Sequence, residues 1–88
     1  MYNKKYRLES FEEFNKHNPM YATMLDRVCY PAYFKVGERG WSLCVVDDWS
    51  ETAHRVHTST VKDVQYTRSG QIVVTTQNTR LTFSPITD

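Results

Sequence analysis

The chain has little of what catalytic, metal-binding or exported proteins usually carry. Its only glycines, Gly37, Gly40 and Gly70, are too few and too scattered to form a phosphate-cradling loop. Its two cysteines, Cys29 and Cys44, lack the short spacing that structural zinc sites use. His54 and His57 do not repair this. On a strand, side chains three positions apart face opposite ways, so the pair is a poor chelate and no metal is expected. There is no Gly-x-Ser-x-Gly elbow, and neither cysteine sits in a recognisable catalytic context. Asp47 and Asp48 are adjacent, so in extended backbone they would face apart rather than share acid–base work. No enzyme activity and no cofactor are expected.

Charge of one sign is missing too. A formal net charge of +1 lacks the basic excess of a protein living by phosphate contacts, and equally the acidic excess of a nucleic-acid mimic. No apolar run approaches the roughly 18 residues needed to cross a bilayer. The basic N-terminal tip, with Lys4, Lys5 and Arg7, leads into no hydrophobic segment, so no secretory signal is read and no membrane association is expected. The expectation is a cytoplasmic protein with Cys29 and Cys44 reduced and buried. At 88 residues, a single domain over 1–88 is expected.

What the chain does hold is β pattern and aromatic rings. Val61 to Thr67 and Ile72 to Gln77 flank Arg68-Ser69-Gly70-Gln71, and Asn78-Thr79 separates the second run from Arg80 to Phe83. Runs of Val, Ile, Thr, Tyr and Phe divided by such turns predict an antiparallel meander. Gly37-Glu38-Arg39-Gly40 reads as a further hairpin turn, followed by a strand from Trp41 to Val46. Upstream, Ser10-Phe11-Glu12-Glu13 has the form of a capping box and predicts a helix from Phe11 to about His17. Asn18-Pro19 then restarts a helix whose stripe is Tyr21, Met24, Leu25 and Val28, ended by Cys29-Tyr30-Pro31. The fold class expected is α+β: a short helical segment within residues 10–30 packed on a strongly twisted antiparallel sheet, or small SH3-like barrel, over residues 32–85. The expected core is Phe11, Phe14, Met24, Leu25, Val28, Leu43, Val45, Val64, Tyr66, Ile72, Val74, Leu81 and Phe83.

Binding is what remains. Trp49 lies between Asp48 and Ser50 in a polar stretch, with Glu51 beyond. A Trp rimmed by charge has the anatomy of a protein–protein hot spot. The bland alternative is that the loop folds back and Trp49 caps the sheet. The partner-binding candidates are Asp47, Asp48, Trp49 and Glu51, with Arg39 from the neighbouring turn. A competing reading gathers Arg55, Lys62, Arg68 and Arg80 on one sheet surface for nucleic acid, with Tyr66 or His57 stacking on bases.

Arg55-Val-His-Thr-Ser-Thr-Val61 and Val73-Val-Thr-Thr-Gln-Asn-Thr-Arg-Leu-Thr-Phe83, preceded by Gly37-Glu-Arg-Gly-Trp41, resemble small proteins of Gram-positive bacteria, their phages and other mobile elements. The resemblance covers about Gly37 to Phe83, and its motifs specify turns and strands rather than chemistry. It implies a mobile-element origin, where small proteins without enzyme motifs are often inhibitors of host defence, anti-CRISPR proteins among them. The implied partner is a host effector protein such as a Cas nuclease, met in the bacterial cytoplasm and blocked by surface binding.

Overall fold

A computed structural model of the chain describes residues 4–45 and 53–86. Its strands are β1 (Tyr6–Glu13), β2 (Val28–Tyr33), β3 (Arg39–Val45), β4 (Ala53–Tyr66), β5 (Ile72–Thr76) and β6 (Thr79–Pro85), with one helix, α1 (Pro19–Met24), between β1 and β2. Each strand pairs antiparallel with the next, and β1 returns to β6, closing a barrel. Closure removes the unpaired edges that an open sheet would present.

β4 makes the corner. Its first half pairs with β3, from Val45 opposite Ala53 to Arg39 opposite Thr60, and its second half pairs with β5, from Val61 opposite Thr76 to Tyr66 opposite Ile72. Ladder irregularities at Arg39/Trp41 and Val61/Asp63 flank the crossover. Bulges of this kind bend a strand and increase its twist, which lets one 14-residue strand serve both sides of the barrel.

The interior is set by alternation. Leu8, Cys29, Cys44, Val61, Val74 and Phe83 are fully enclosed, with Leu81, Val56 and Ile72 nearly so. Burying side chains of this size stabilises the fold by about 1.5–3 kcal/mol each for the larger ones. Met24 and Tyr21 of α1 are buried with them, and Phe11 lies 5.8 Å from the Tyr21 ring, centroid to centroid. Phe34 packs at 5.9 Å from Phe83 and occupies the space over Gly40, where a Cβ would stand 2.5 Å from its Cδ1. Gly40 is therefore glycine because of a close approach, whereas Gly70, with φ at +87°, supplies the left-handed turn between β4 and β5.

Several sequence expectations are corrected. The capping-box pattern at Ser10 to Glu13 does not start a helix. These residues are strand, because Tyr6 and Leu8 alternate inward and β1 forms a ladder with β6 from Pro85 to Thr79 that completes the barrel. Tertiary pairing overrides a local cap whose benefit is about 1 kcal/mol. The restart at Asn18-Pro19 is as expected: the Asn18 side chain accepts from the Met20 N–H at 3.0 Å, and Pro19 opens the helix. The helix ends at Met24 rather than at Cys29. Leu25 turns outward and Val28 begins β2, so the helical front shrinks and the molecule is mostly β. Within β3 the expected placement of Leu43 and Val45 in the core is reversed. Ser42 and Cys44 point inward, while Trp41, Leu43 and Val45 are half-buried on the outside. Phe14 and Tyr66, expected in the core, are 43% and 76% exposed. The turns at Ser69-Gly70 and Asn78 fall where the meander reading put them.

Candidate functional site

The outer face of β2, β3 and β4 follows directly from the pairing. Tyr30, Leu43 and Arg55 form one row across the three strands, and Tyr33, Trp41 and His57 form the next. Cys29, Cys44, Val56 and Thr58 carry the buried parity of these strands, which leaves the two rows outside. The rows are tied together. The Arg55 guanidinium lies over the Trp41 ring with Cζ 4.3 Å from the centroid, a cation–π contact between the two rows. Tyr33 donates its hydroxyl to Glu38 Oε1 at 2.9 Å, and that hydrogen bond is the first cause of its raised pKa. The result is an outward patch in which Tyr30, Trp41 and Leu43 are half-buried and Tyr33 and Arg55 are exposed.

Next to this face lies a groove of about 530 Å³, walled by β4, the β1–α1 connection and the β5–β6 turn. Its cationic or imidazole-bearing side chains are Lys16, His17, Arg39 and His57, and among the described lining residues there is no carboxylate. The floor is a hydroxyl network. Thr76 Oγ1 accepts from Ser59 Oγ at 2.9 Å and from Thr79 N at 3.0 Å, and shares a 2.8 Å hydrogen bond with Thr79 Oγ1. Asn78 N donates to Ser59 Oγ at 3.1 Å, and Gln77 N to the Thr60 carbonyl at 2.8 Å, so the β5–β6 turn is pinned to β4. No buried side-chain N or O among the described residues lacks a partner. Tyr21, in the groove wall, has its phenol pushed up chiefly by burial, against a hydrogen bond with Thr79 that lowers it.

Inside the barrel Cys29 and Cys44 sit directly opposite one another on β2 and β3, both fully buried and both free thiols. Cys29 is held well above the ordinary thiol value, first by its hydrogen bond to Cys44 and then by burial. Cys44 is lowered by that same bond and by Ser42 Oγ at 3.4 Å. The two thiols therefore act as a coupled pair in which Cys29 holds its proton the more firmly.

The sequence-derived candidates distribute unevenly over this geometry. Asp47, Asp48, Trp49 and Glu51 lie outside the described residues, in the stretch joining β3 to β4. Arg39 is exposed, but it belongs to the groove, where its Nε donates to the Thr58 carbonyl at 3.1 Å. The four basic residues of the nucleic-acid reading are dispersed. Arg55 stacks on Trp41, and Lys62 lies about 20 Å further along β4 at the strand spacing of roughly 3.3 Å per residue. Arg68 sits in the β4–β5 turn, while Arg80 on β6 faces Glu12 at 3.9 Å and the Phe14 ring at 5.5 Å. His57 and His54 are both exposed, and no group of metal-ligating side chains occurs among the described residues. The patch around Trp41 was not singled out from the sequence. Its signal was present in the outward alternation of Trp41 with Leu43 and of Arg55 with His57. Comparison with family models, curated proteins and solved structures returned no match.

Proposed function

We propose that this protein is a non-catalytic binding module that blocks a partner protein by occupying its surface. The observation that carries the reading is the outer face of β2–β4, where Tyr30, Tyr33, Trp41, Leu43 and Arg55 stand together with Arg55 stacked on Trp41. Trp, Tyr and Arg are the residue types in which binding energy concentrates at protein interfaces. The pre-stacked pair is ordered before a partner arrives, which lowers the entropic cost of docking. On the β2–β4 face the strands are paired with one another, so contact there is made by side chains. Asp47, Asp48, Trp49 and Glu51 fall in sequence between the two strands that carry this face and are kept as contact candidates on their residue types.

The resemblance to phage and mobile-element proteins points the reading at a host defence effector in the bacterial cytoplasm, a Cas nuclease being the concrete case. The test is capture of tagged protein from a Gram-positive host lysate with mass spectrometry of what is retained, paired with an interference assay in cells expressing the protein. Retention of a Cas nuclease with loss of interference is the expected result. Unimpaired interference with no defence nuclease recovered ends the inhibitor reading. A second reading is favoured by the stacked Trp41–Arg55 pair alone, since aromatic and guanidinium planes also stack on bases. A gel shift at low salt that shows no retardation of single- or double-stranded DNA or RNA removes it.

A further inference from the structure

The groove beside this face has a chemistry of its own. Of the ten Asp and Glu in the chain none lines it among the described residues, while Lys16, His17, Arg39 and His57 all do. In a protein of net charge +1 that is a local segregation of sign, not a general basic character. Glu13 is bonded to two residues of this wall. Its Oε1 takes His17 Nδ1 at 3.0 Å and its Oε2 takes the Asn18 backbone N–H at 2.6 Å. That carboxylate thus ties the β1–α1 connection together and orients the His17 ring. Arg39 is anchored through Nε to the Thr58 carbonyl, which leaves its two Nη groups for a ligand. Thr58 is itself fixed, accepting from Gly40 N at 3.0 Å and donating to the Ser59 carbonyl at 2.7 Å. An anchored guanidinium is preorganised for bidentate contact with phosphate oxygens.

A metal cation fits poorly, because the lining offers two imidazoles but no carboxylate or thiolate, and no group of three ligating side chains occurs among the described residues. The volume of about 530 Å³ lies within the range of small-molecule sites, roughly 300–1,000 Å³, and is far larger than a lone phosphate requires. We propose that the groove binds a small phosphate ester of nucleotide size, with its phosphate between Arg39 and His57 and its remaining polar edges on the hydroxyls and amides of β4 and the β5–β6 turn. The site goes beyond the surface-binding reading and stands without it, because it uses the groove and not the Trp41 ring.

The experiment is an amide chemical-shift titration of the intact chain at low salt with three probes: ADP, inorganic phosphate and a short oligothymidylate. ADP is expected to move the amides of Arg39, Thr58 to Thr60 and Gln77 to Thr79. Phosphate should move a subset of them with weaker affinity. Arg39→Gln and His57→Gln should each weaken ADP about tenfold, the scale of one lost charge-assisted contact. Lys5→Gln, at the far end of β1 from the groove, should leave ADP binding unchanged while its spectrum reports an intact fold. The proposal is overturned if ADP moves none of these amides, or if both groove variants bind as the parent does. Preference for oligothymidylate over ADP would also overturn it, assigning the groove to a nucleic-acid backbone instead.

Discussion

Oxidation of the Cys29–Cys44 pair should stabilise the barrel without changing its shape. The two residues are direct partners on β2 and β3, and both are fully buried. Opposed residues in an antiparallel ladder have Cα atoms about 4.5–5.5 Å apart, within the range of about 4.4–6.8 Å that disulfides span. Since the thiols already share a hydrogen bond, the sulfurs need move little. Cross-linking a loop of about 15 residues is worth about 3 kcal/mol through the unfolded chain. For a domain of this size that corresponds to roughly 12–24 °C in Tm, at about 4–8 °C per kcal/mol. The rate should be slow, because neither thiol is reached by solvent and Cys29 holds its proton above the ordinary thiol range. The assay is oxidation in mild denaturant, a free-thiol count before and after, and urea melts of the two forms. An oxidised monomer melting no higher than the reduced one would mean that the bond strains β2 and β3, and rapid alkylation of both thiols in the native state would mean that they are not enclosed. The first result refutes the expected stabilisation, and the second refutes the placement of the pair inside the barrel.

Leu8→Ala should cost about 2–5 kcal/mol by urea denaturation, since Leu8 is fully enclosed and lies beside the bulge through which β1 reaches β6. Thr76→Val keeps the shape but removes the acceptor of Ser59 and the Thr79 N–H, and should cost about 1–3 kcal/mol with faster amide exchange in the β5–β6 turn. Gly40→Ala should destabilise more than Gly37→Ala. It forces a Cβ to within 2.5 Å of Phe34, whereas at Gly37 no atom lies within 4 Å and the cost is the backbone strain of φ +93° alone; thermal melts of the two variants decide the order. Trp41→Ala should weaken partner capture by at least about 2 kcal/mol, some thirtyfold in Kd, with Arg55→Ala weaker in effect; equal affinity of a folded Trp41→Ala variant would discard this face.

The strands from Gly37 onward were legible because their turns are written in local chemistry: Gly70 with its positive φ, Asn78 before β6, and alternation of two in β5 and β6. Residues 6–13 were not. Ser10 and Glu13 satisfy a helix-start pattern, while the evidence for a strand is Tyr6 and Leu8 finding Cys29, Phe83 and Pro85, contacts made with residues far along the chain. The assignment of β3 to the wrong face has a similar cause. Trp41, Leu43 and Val45 are the larger and more apolar set, so they are read as interior. A narrow barrel instead takes Gly40, Ser42 and Cys44 inside, because Phe34 and Phe83 already fill that space.

That inversion also explains why the candidate surface escaped notice. When small residues face the interior, the large ones on the same strand are left on the outside, where only cross-strand packing covers them. Trp41 is then half-buried by Arg55, and Leu43 lies between Tyr30 and Arg55. The arrangement follows from closing six short strands around a few large rings, and selection for binding need not have created it. What distinguishes a used surface from a by-product of closure is organisation beyond what packing requires. The Arg55–Trp41 stack meets that standard by bringing together two of the residue types in which interface energy concentrates. The groove meets it better. Nothing in the packing of the barrel requires Arg39 and His57 to share a carboxylate-free wall with Lys16 and His17, nor Glu13 to be turned aside by His17 and the Asn18 N–H. His57 lies in both places, in the Tyr33–Trp41 row and in the groove wall, so occupancy of the groove is positioned to alter the rim of the face.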